Sequence, residues 1–167
     1  EHSKMLDLGT GTGAIALALA TENPQWMVTG LDKNPEAVAL AQDNASMHKL
    51  ERVKFIQSDW FSAVTQQQFD LIVTNPPYIE NNNRYLNQGD VRFEPSSALT
   101  SGMDGLDDIR LIISQSKHYL ADNGWLLIEH GYQQSEQVSD VLKAHGFNKI
   151  RSETDLNGLP RVTLGSN

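Results

Sequence analysis

The stretch Asn75-Pro76-Pro77-Tyr78 follows directly on the apolar run Phe69 to Thr74. Two consecutive prolines remove two backbone donors and fix two φ angles, and the residue ahead of a proline is driven toward extended geometry. A strand must end here, with Asn75 and Tyr78 held stiffly at its tip. The quartet could be a rigid strand terminator and nothing more. It also has the parts of a polar clamp for a planar NH2 on an sp2 carbon. Such a nitrogen is a poor nucleophile because its lone pair is delocalised. To attack a methyl group it must pyramidalise and aim that lone pair, and two acceptors, one per N–H, can hold it so. The Asn75 side-chain oxygen and the Pro76 carbonyl are acceptors of that kind. Pro77 stiffens the turn, and the Tyr78 ring can pack on the planar group. No strong base is needed, because the nitrogen becomes acidic once alkylated.

A second stretch, Asp7-Leu8-Gly9-Thr10-Gly11-Thr12-Gly13, runs into Ala14 to Ala20. Three alternating glycines between a strand and a helix allow a tight turn and a close ligand approach. The helix start offers N–H groups and a positive dipole end. The spacing Gly9-x-Gly11-x-x-Ala14 also meets the loose dinucleotide fingerprint. By itself the motif does not separate a nicotinamide cofactor from S-adenosylmethionine. Asp32, about 20 residues on, is placed to accept both hydroxyls of a ribose, or to cap the helix that starts at Asn34-Pro35. In Ser58-Asp59-Trp60 a carboxylate can accept from an adenine amino group and an indole can flank the base, while Trp60 could equally be core and Asp59 a turn residue. The clamp chemistry of residues 75–78 favours methyl transfer over hydride transfer, which has no use for it.

These residues need elements to position them. Met5 to Leu8, Trp26 to Leu31, Val53 to Ile56, Phe69 to Thr74 and Trp125 to Ile128 read as strands. Helices are expected over Ala14–Ala20, from Asn34-Pro35-Glu36 through Ala45, through Ile109, Ile112, Ile113 and Leu120, and through Val138, Val141 and Leu142 to a stop at Gly146. Lys149–Ser152 and Arg161–Leu164 read as a closing antiparallel pair. Alternating apolar strands and helices give an α/β fold, a mostly parallel sheet with helices on both faces. Between Asn75 and about Gly105 no periodic element is visible, and connections of that length are usually functional or mobile. It begins at the carboxyl end of a strand, where open α/β sheets bind ligands.

The 167 residues are read as one domain, 1–167. There is no cysteine, which excludes disulfides, thiolate metal sites and cysteine nucleophiles and fits a reducing cytoplasm. A net charge of −8 argues against a broad grip on nucleic acid. No apolar run reaches membrane-spanning length. His2, His48, His118, His130 and His145 have no metal-ligand spacing, and His48, His118 and His145 are expected on helix surfaces. The start Glu1-His2-Ser3-Lys4, with no initiator methionine, reads as a cut within a longer protein.

Taken in order, DLGTGTG, Asp32, SDW and NPPY resemble the class I S-adenosylmethionine-dependent methyltransferases that act on amino groups. GDVRFEP at 89–95, EHG at 129–131 and the closing RVTLG resemble, more narrowly, the release-factor glutamine methyltransferases. The resemblance runs over essentially the whole chain, although NPPY alone is shared with adenine-N6 and guanine-N2 methyltransferases. It implies a Rossmann-like fold, with a seven-stranded sheet whose last strand is antiparallel. It implies S-adenosylmethionine as cofactor and S-adenosylhomocysteine as product. Gly9, Thr10, Gly11, Thr12 and Gly13 would hold its methionine end, Asp32 its ribose, and Asp59 and Trp60 the adenine region. Asn75 would touch cofactor and substrate, Asn75, Pro76 and Tyr78 would carry the catalysis, and Asn75 to Tyr78 would hold the substrate amide. That substrate would be the glutamine side-chain amide nitrogen in the Gly-Gly-Gln motif of class I peptide chain release factors, cytoplasmic partners in translation termination. Arg92, Phe93 and Glu94 would shape the long loop, or simply anchor it through a salt bridge. Glu129 would stand near the site in a structural or a functional role. Family members also carry a helical N-terminal domain and a cofactor-covering segment before the first strand; neither is in this sequence.

Three alternatives stay open on the residues alone. A nucleic-acid amino methyltransferase of the same fold is opposed by the acidic balance and the lack of an evident base-recognition domain. A nicotinamide-dependent oxidoreductase is opposed by the NPPY clamp, and so is a non-catalytic cofactor-binding module.

Overall fold

The computed structural model describes residues 3–81 and 99–167. In chain order the elements are β1 (Lys4–Leu8), α1 (Ala14–Glu22), β2 (Met27–Asp32), α2 (Pro35–Met47), β3 (Lys54–Gln57), β4 (Phe69–Thr74), α3 (Asp107–Tyr119), β5 (Leu120–Glu129), α4 (Ser135–Ala144), β6 (Asn148–Thr154) and β7 (Pro160–Ser166). They form one seven-stranded sheet in the order β3-β2-β1-β4-β5-β7-β6. Neighbours from β3 through β5 pair parallel, and β7 runs antiparallel to both β5 and β6. The mostly parallel sheet with an antiparallel last strand is thus the observed one.

Strand alternation sends β1 side chains to both faces. Leu6 and Leu8 join the larger apolar cluster with Ile109, Ile112 and Ile113 of α3 and Val138 and Leu142 of α4. Met5 joins the second cluster with Ala16 and Ala20 of α1 and Ala41 and Ala45 of α2. The alanines let α1 and α2 lie close to the sheet and to each other. The limit of that approach is Gly13, where an added Cβ would sit 3.0 Å from the Phe55 ring and 3.1 Å from the Ala41 Cβ. The start of α2 follows its sequence signals. Asn34 caps it by accepting from the Glu36 N–H at 2.9 Å, with Pro35 in the first turn.

One boundary differs from the sequence expectation. Leu120 opens β5 and does not close α3; it pairs with Phe69, with a register shift before Leu71 pairs Trp125. Leu120 is buried in either role, so its apolar periodicity with α3 carried no information about where the helix stops. The irregularity is absorbed at Asn123, whose φ is 63°. Part of the long connection is also ordered by pairing. Ile79 bridges Thr100 in parallel, with the Ile79 N–H on the Leu99 carbonyl (2.9 Å) and the Ser101 N–H on the Ile79 carbonyl (3.0 Å). Arg92, Phe93 and Glu94 lie outside the described residues.

Candidate functional site

The strand order reverses direction between β1 and β4, which puts a crevice at their carboxyl ends. Leu8 and Thr74 are register partners there, so Gly9 and Asn75 leave the sheet side by side. The Thr74 hydroxyl donates to the Leu8 carbonyl at 2.9 Å and ties the two exits together. On the other side Leu8 partners Leu31, so Asp32 leaves β2 beside the glycine turn. A cavity of about 610 Å³ opens over these ends, lined among others by Gly9, Gly11, Asp32, Asp59, Trp60, Asn75, Pro76, Pro77 and Tyr78. That volume suits a nucleoside-sized ligand together with a second group. Thr10, Thr12 and Gly13, expected around the same ligand, are not among the lining residues. Thr10 is buried beneath the turn, and Gly13 serves helix packing.

The glycine turn satisfies most of its own amides. Gly9, Gly11 and Gly13 all have positive φ, the reason this turn needs glycine. The Thr10 N–H goes to the Leu31 carbonyl and the Gly13 N–H to the Thr10 carbonyl. The Gly11 N–H goes to Asp32 Oδ2 at 2.9 Å, and the Ala16 N–H to Asp7 Oδ2 at 3.2 Å. Sequence reasoning offered these donors to an anion; the structure assigns two of them to carboxylates of the chain itself. A bound pyrophosphate would find few donors and several acids here: Asp32, Asp59 and Asp108 line the cavity, with Lys33 on the wall. The setting fits a ligand with hydroxyls and positive charge. At Gly11 an added Cβ would meet no protein atom within 4 Å, so the bare backbone faces space. Asp32 also accepts the Asn34 N–H through Oδ1 at 2.9 Å. Two of its roughly four lone-pair sites are then occupied, and the rest are available to a ligand.

Asp7 lies behind this turn. It shares the β1 face of Met5, under α1, and is 1% exposed. Its Oδ2 accepts from the Thr10 hydroxyl at 2.6 Å as well as from Ala16, but Oδ1 is buried without a partner. Burial pushes its carboxyl up to about 6 from 3.8, against the pull of those two hydrogen bonds. An acid whose folded value is raised loses stability contribution as pH climbs from its unfolded value through its folded one. The stability of Asp7→Asn relative to the parent should therefore shift in the variant's favour by roughly 2 kcal/mol between pH 4 and pH 7. Urea melts of both proteins across that range check this, and parallel pH profiles would show that Asp7 does not titrate there. The signal was present in the sequence: a carboxylate on the buried alternate face of an apolar strand.

Trp60 belongs both to the core and to the cavity wall. Its ring would lie 3.6 Å from a Cβ at Gly9, and it packs on the larger apolar cluster while lining the cavity. The backbone there has φ 44°, an uncommon conformation for a bulky residue. Ser58 supports it: its hydroxyl donates to the Trp60 carbonyl at 2.7 Å and accepts the Ala63 N–H at 3.0 Å.

Asn75 is exposed at the tip of β4, and among the described residues its side chain makes no hydrogen bond. Tyr78 is half-buried. Burial first, and the negative charge of Glu129 second, hold its phenol above the usual range, opposed by Arg161. The hydroxyl stays protonated at ordinary pH, so the residue offers a ring and a neutral O–H. Glu129 is itself raised by burial, with Arg161 opposing. His130, for which the sequence showed no partner, is buried. Its Nδ1 lies 2.9 Å from the Gly131 carbonyl and its Nε2 2.7 Å from the Thr163 hydroxyl. A carbonyl only accepts, so Nδ1 carries the proton and Nε2 accepts; burial keeps the ring neutral. His48, His118 and His145 are exposed on or next to helices. Among the described residues no group of three or more His, Asp or Glu could hold a metal ion, and no helix is long and apolar enough to cross a membrane.

Residues 1–94 match a family model described as Methyltransferase small domain. The release factor glutamine methyltransferase of Pseudomonas aeruginosa is 55% identical over 165 residues, covering 99% of this chain and 60% of that protein. The one from Shewanella oneidensis is 49% identical over 165 residues, covering 99% of this chain and 58% of its own length. The chain thus spans well under two thirds of the curated relatives it matches. Among solved structures, a ribosomal protein L11 methylase from Lactobacillus delbrueckii subsp. bulgaricus superposes with a TM-score of 0.73 at 18% identity, over 100% of this chain and 71% of that one. At that identity the likeness establishes the fold, that of the Rossmann-like class I methyltransferases.

Proposed function

The chain belongs to the methyltransferase small domain family, and from that membership we propose that it is the catalytic domain, residues 1–167, of a cytoplasmic release factor glutamine methyltransferase. The reaction would move a methyl group from S-adenosylmethionine to the side-chain amide nitrogen of the glutamine in a Gly-Gly-Gln motif of class I peptide chain release factors, a step bearing on translation termination. One observation carries the reading. Asn75, its side chain unengaged among the described residues, stands beside Gly9 at the switch point of the sheet, so clamp and glycine turn share one cavity. The identity of 49–55% to relatives of that name supports the choice of substrate.

When bound, S-adenosylmethionine supplies a methyl group activated by a sulfonium. The acid-rich turn suits its charges and hydroxyls: Asp32 would accept from the ribose, Asp59 and Trp60 would border the adenine, and the open face at Gly11 would admit the methionine end. The Asn75 side-chain oxygen and the Pro76 carbonyl would each accept one N–H of the glutamine amide and turn its lone pair toward the methyl group. Tyr78 would flank the amide plane. After transfer the nitrogen is acidic and releases its proton to solvent at the open end of β4.

Because Tyr78 acts here through its ring, Tyr78→Phe should retain most of the single-turnover rate, and Tyr78→Ala should lose about tenfold. Equal losses would move the role to the hydroxyl. The substrate itself is tested by incubating the full-length protein with labelled S-adenosylmethionine and, separately, a release factor, DNA and ribosomal RNA. Label is expected on the release factor, within the Gly-Gly-Gln peptide. Label on nucleic acid and none on the release factor would overturn the proposal.

A further inference from the structure

We infer that Gln134 is a positioning residue for the amide clamp, fixing the Tyr78 carbonyl and with it the segment Asn75–Tyr78. The inference rests on the proposed role of that segment. Gln134 stands at the entrance to α4, remote from the clamp in sequence. Its Nε2 donates to the Tyr78 carbonyl at 3.0 Å and to the Asp104 carbonyl at 3.1 Å, and its Oε1 accepts the Gly131 N–H at 2.8 Å. Both amide protons and one oxygen lone pair are thereby used on three separate backbone segments. Few side chains could replace it: Glu lacks the donors, Lys and Arg lack the acceptor, and Asn is a methylene too short.

A second observation converges on the same carbonyl. Gly105 has φ 73°, and a Cβ there would fall 2.2 Å from the Tyr78 oxygen and 2.9 Å from Gln134 Nε2. The loop before α3 is thus pressed against the hydrogen-bonded pair. The far end of the tether is also held. His130 Nδ1 donates to the Gly131 carbonyl, and the ring is fixed in turn by Thr163 of β7, whose hydroxyl is 2.7 Å from that of Ser152. The corner between β5 and α4 is therefore anchored to the sheet, and Gln134 transmits that anchorage to the clamp. The prolines make the tether effective. With φ fixed at Pro76 and Pro77, few torsions remain between Asn75 and Tyr78. The Gln134 bond and the Ile79–Thr100 bridge restrain the end of that short segment.

In the full-length protein, Gln134→Ala should lower kcat for release-factor methylation by about ten- to thirtyfold, since small displacements of an oriented reactant are costly. The KM for S-adenosylmethionine should stay within about threefold. Gln134→Glu keeps the acceptor for Gly131 but has no donor for Tyr78, so it should lose at least as much as alanine while preserving the fold. Hydrogen exchange without any ligand gives a readout independent of the substrate. The Ile79 and Ser101 amides should lose about tenfold or more of their protection in Gln134→Ala. A wild-type rate in either variant, or a loss confined to cofactor affinity, overturns the inference, and so does unchanged protection. If the parent protein fails to methylate the release factor, the proposed function falls, while the exchange result still decides whether Gln134 positions the segment.

Discussion

Asn75→Ala should lower kcat for glutamine methylation by about 10²–10³, while affinity for S-adenosylmethionine falls tenfold at most. The side chain has nothing to hold among the described residues, so its removal leaves the fold of β4 intact. In the proposed reaction, what disappears is one of two acceptors that aim a weak nucleophile, and aiming counts in the transition state more than in the ground state. Thr74, bonded to the Leu8 carbonyl, and the two prolines keep the backbone acceptor at Pro76 in place, so residual activity should remain. Asn75→Asp keeps an acceptor oxygen and adds a negative charge near the sulfonium; it should retain more activity than alanine and hold the cofactor at least as well. Single-turnover methylation at saturating cofactor, paired with a cofactor titration, separates the steps. A wild-type rate for Asn75→Ala at saturation would mean that the prolines merely end a strand.

Asp32→Ala should weaken S-adenosylmethionine binding by about a hundredfold, measured by calorimetry. Charge-assisted hydrogen bonds to a ribose contribute about 1.5–3 kcal/mol each. The structure adds a second loss, because the same carboxylate holds the Gly11 and Asn34 amides. Without it the glycine turn and the start of α2 are no longer fastened to each other, and the cavity wall between them loosens. Asp32→Asn retains one acceptor oxygen and should fall between parent and alanine. If alanine leaves the affinity unchanged, Asp32 is only the tie between turn and helix, and the ribose is held elsewhere.

The local backbone geometry around the candidate site is legible in the sequence. Glycine at alternate positions after a strand reads as a turn because only glycine adopts the positive φ needed there, and Gly9, Gly11 and Gly13 all adopt it. Asn75-Pro76-Pro77 reads as a stiff strand end because proline geometry is local. The Asn34-Pro35-Glu36 start of α2 was equally plain, since capping is decided within a few residues. Readings failed where two environments reward the same residue. Leu120 is buried whether it ends α3 or begins β5. Trp60, read as core or as a flank for an adenine base, packs on the core and also borders the cavity, because the turn built by Ser58 sets its ring between the apolar cluster and Gly9. Residues 82–98 lie outside the described residues, and the RFEP reading with them.

The sequence by itself determined the alternation of elements and the chemical character of the two turns that border the cavity, all consequences of short-range sterics and of apolar periodicity. Only the tertiary structure decided how they share one cavity. The parallel pairing of β1 with β4 brings Gly9 to Asn75 across more than sixty residues of chain. The layer of α1 over the sheet buries Asp7 and leaves one of its oxygens without a partner. The corner after β5 delivers Gln134 to the Tyr78 carbonyl. Each of these depends on which strand lies beside which, and strand neighbours are chosen by the cooperative burial of the two apolar clusters, which no local pattern encodes.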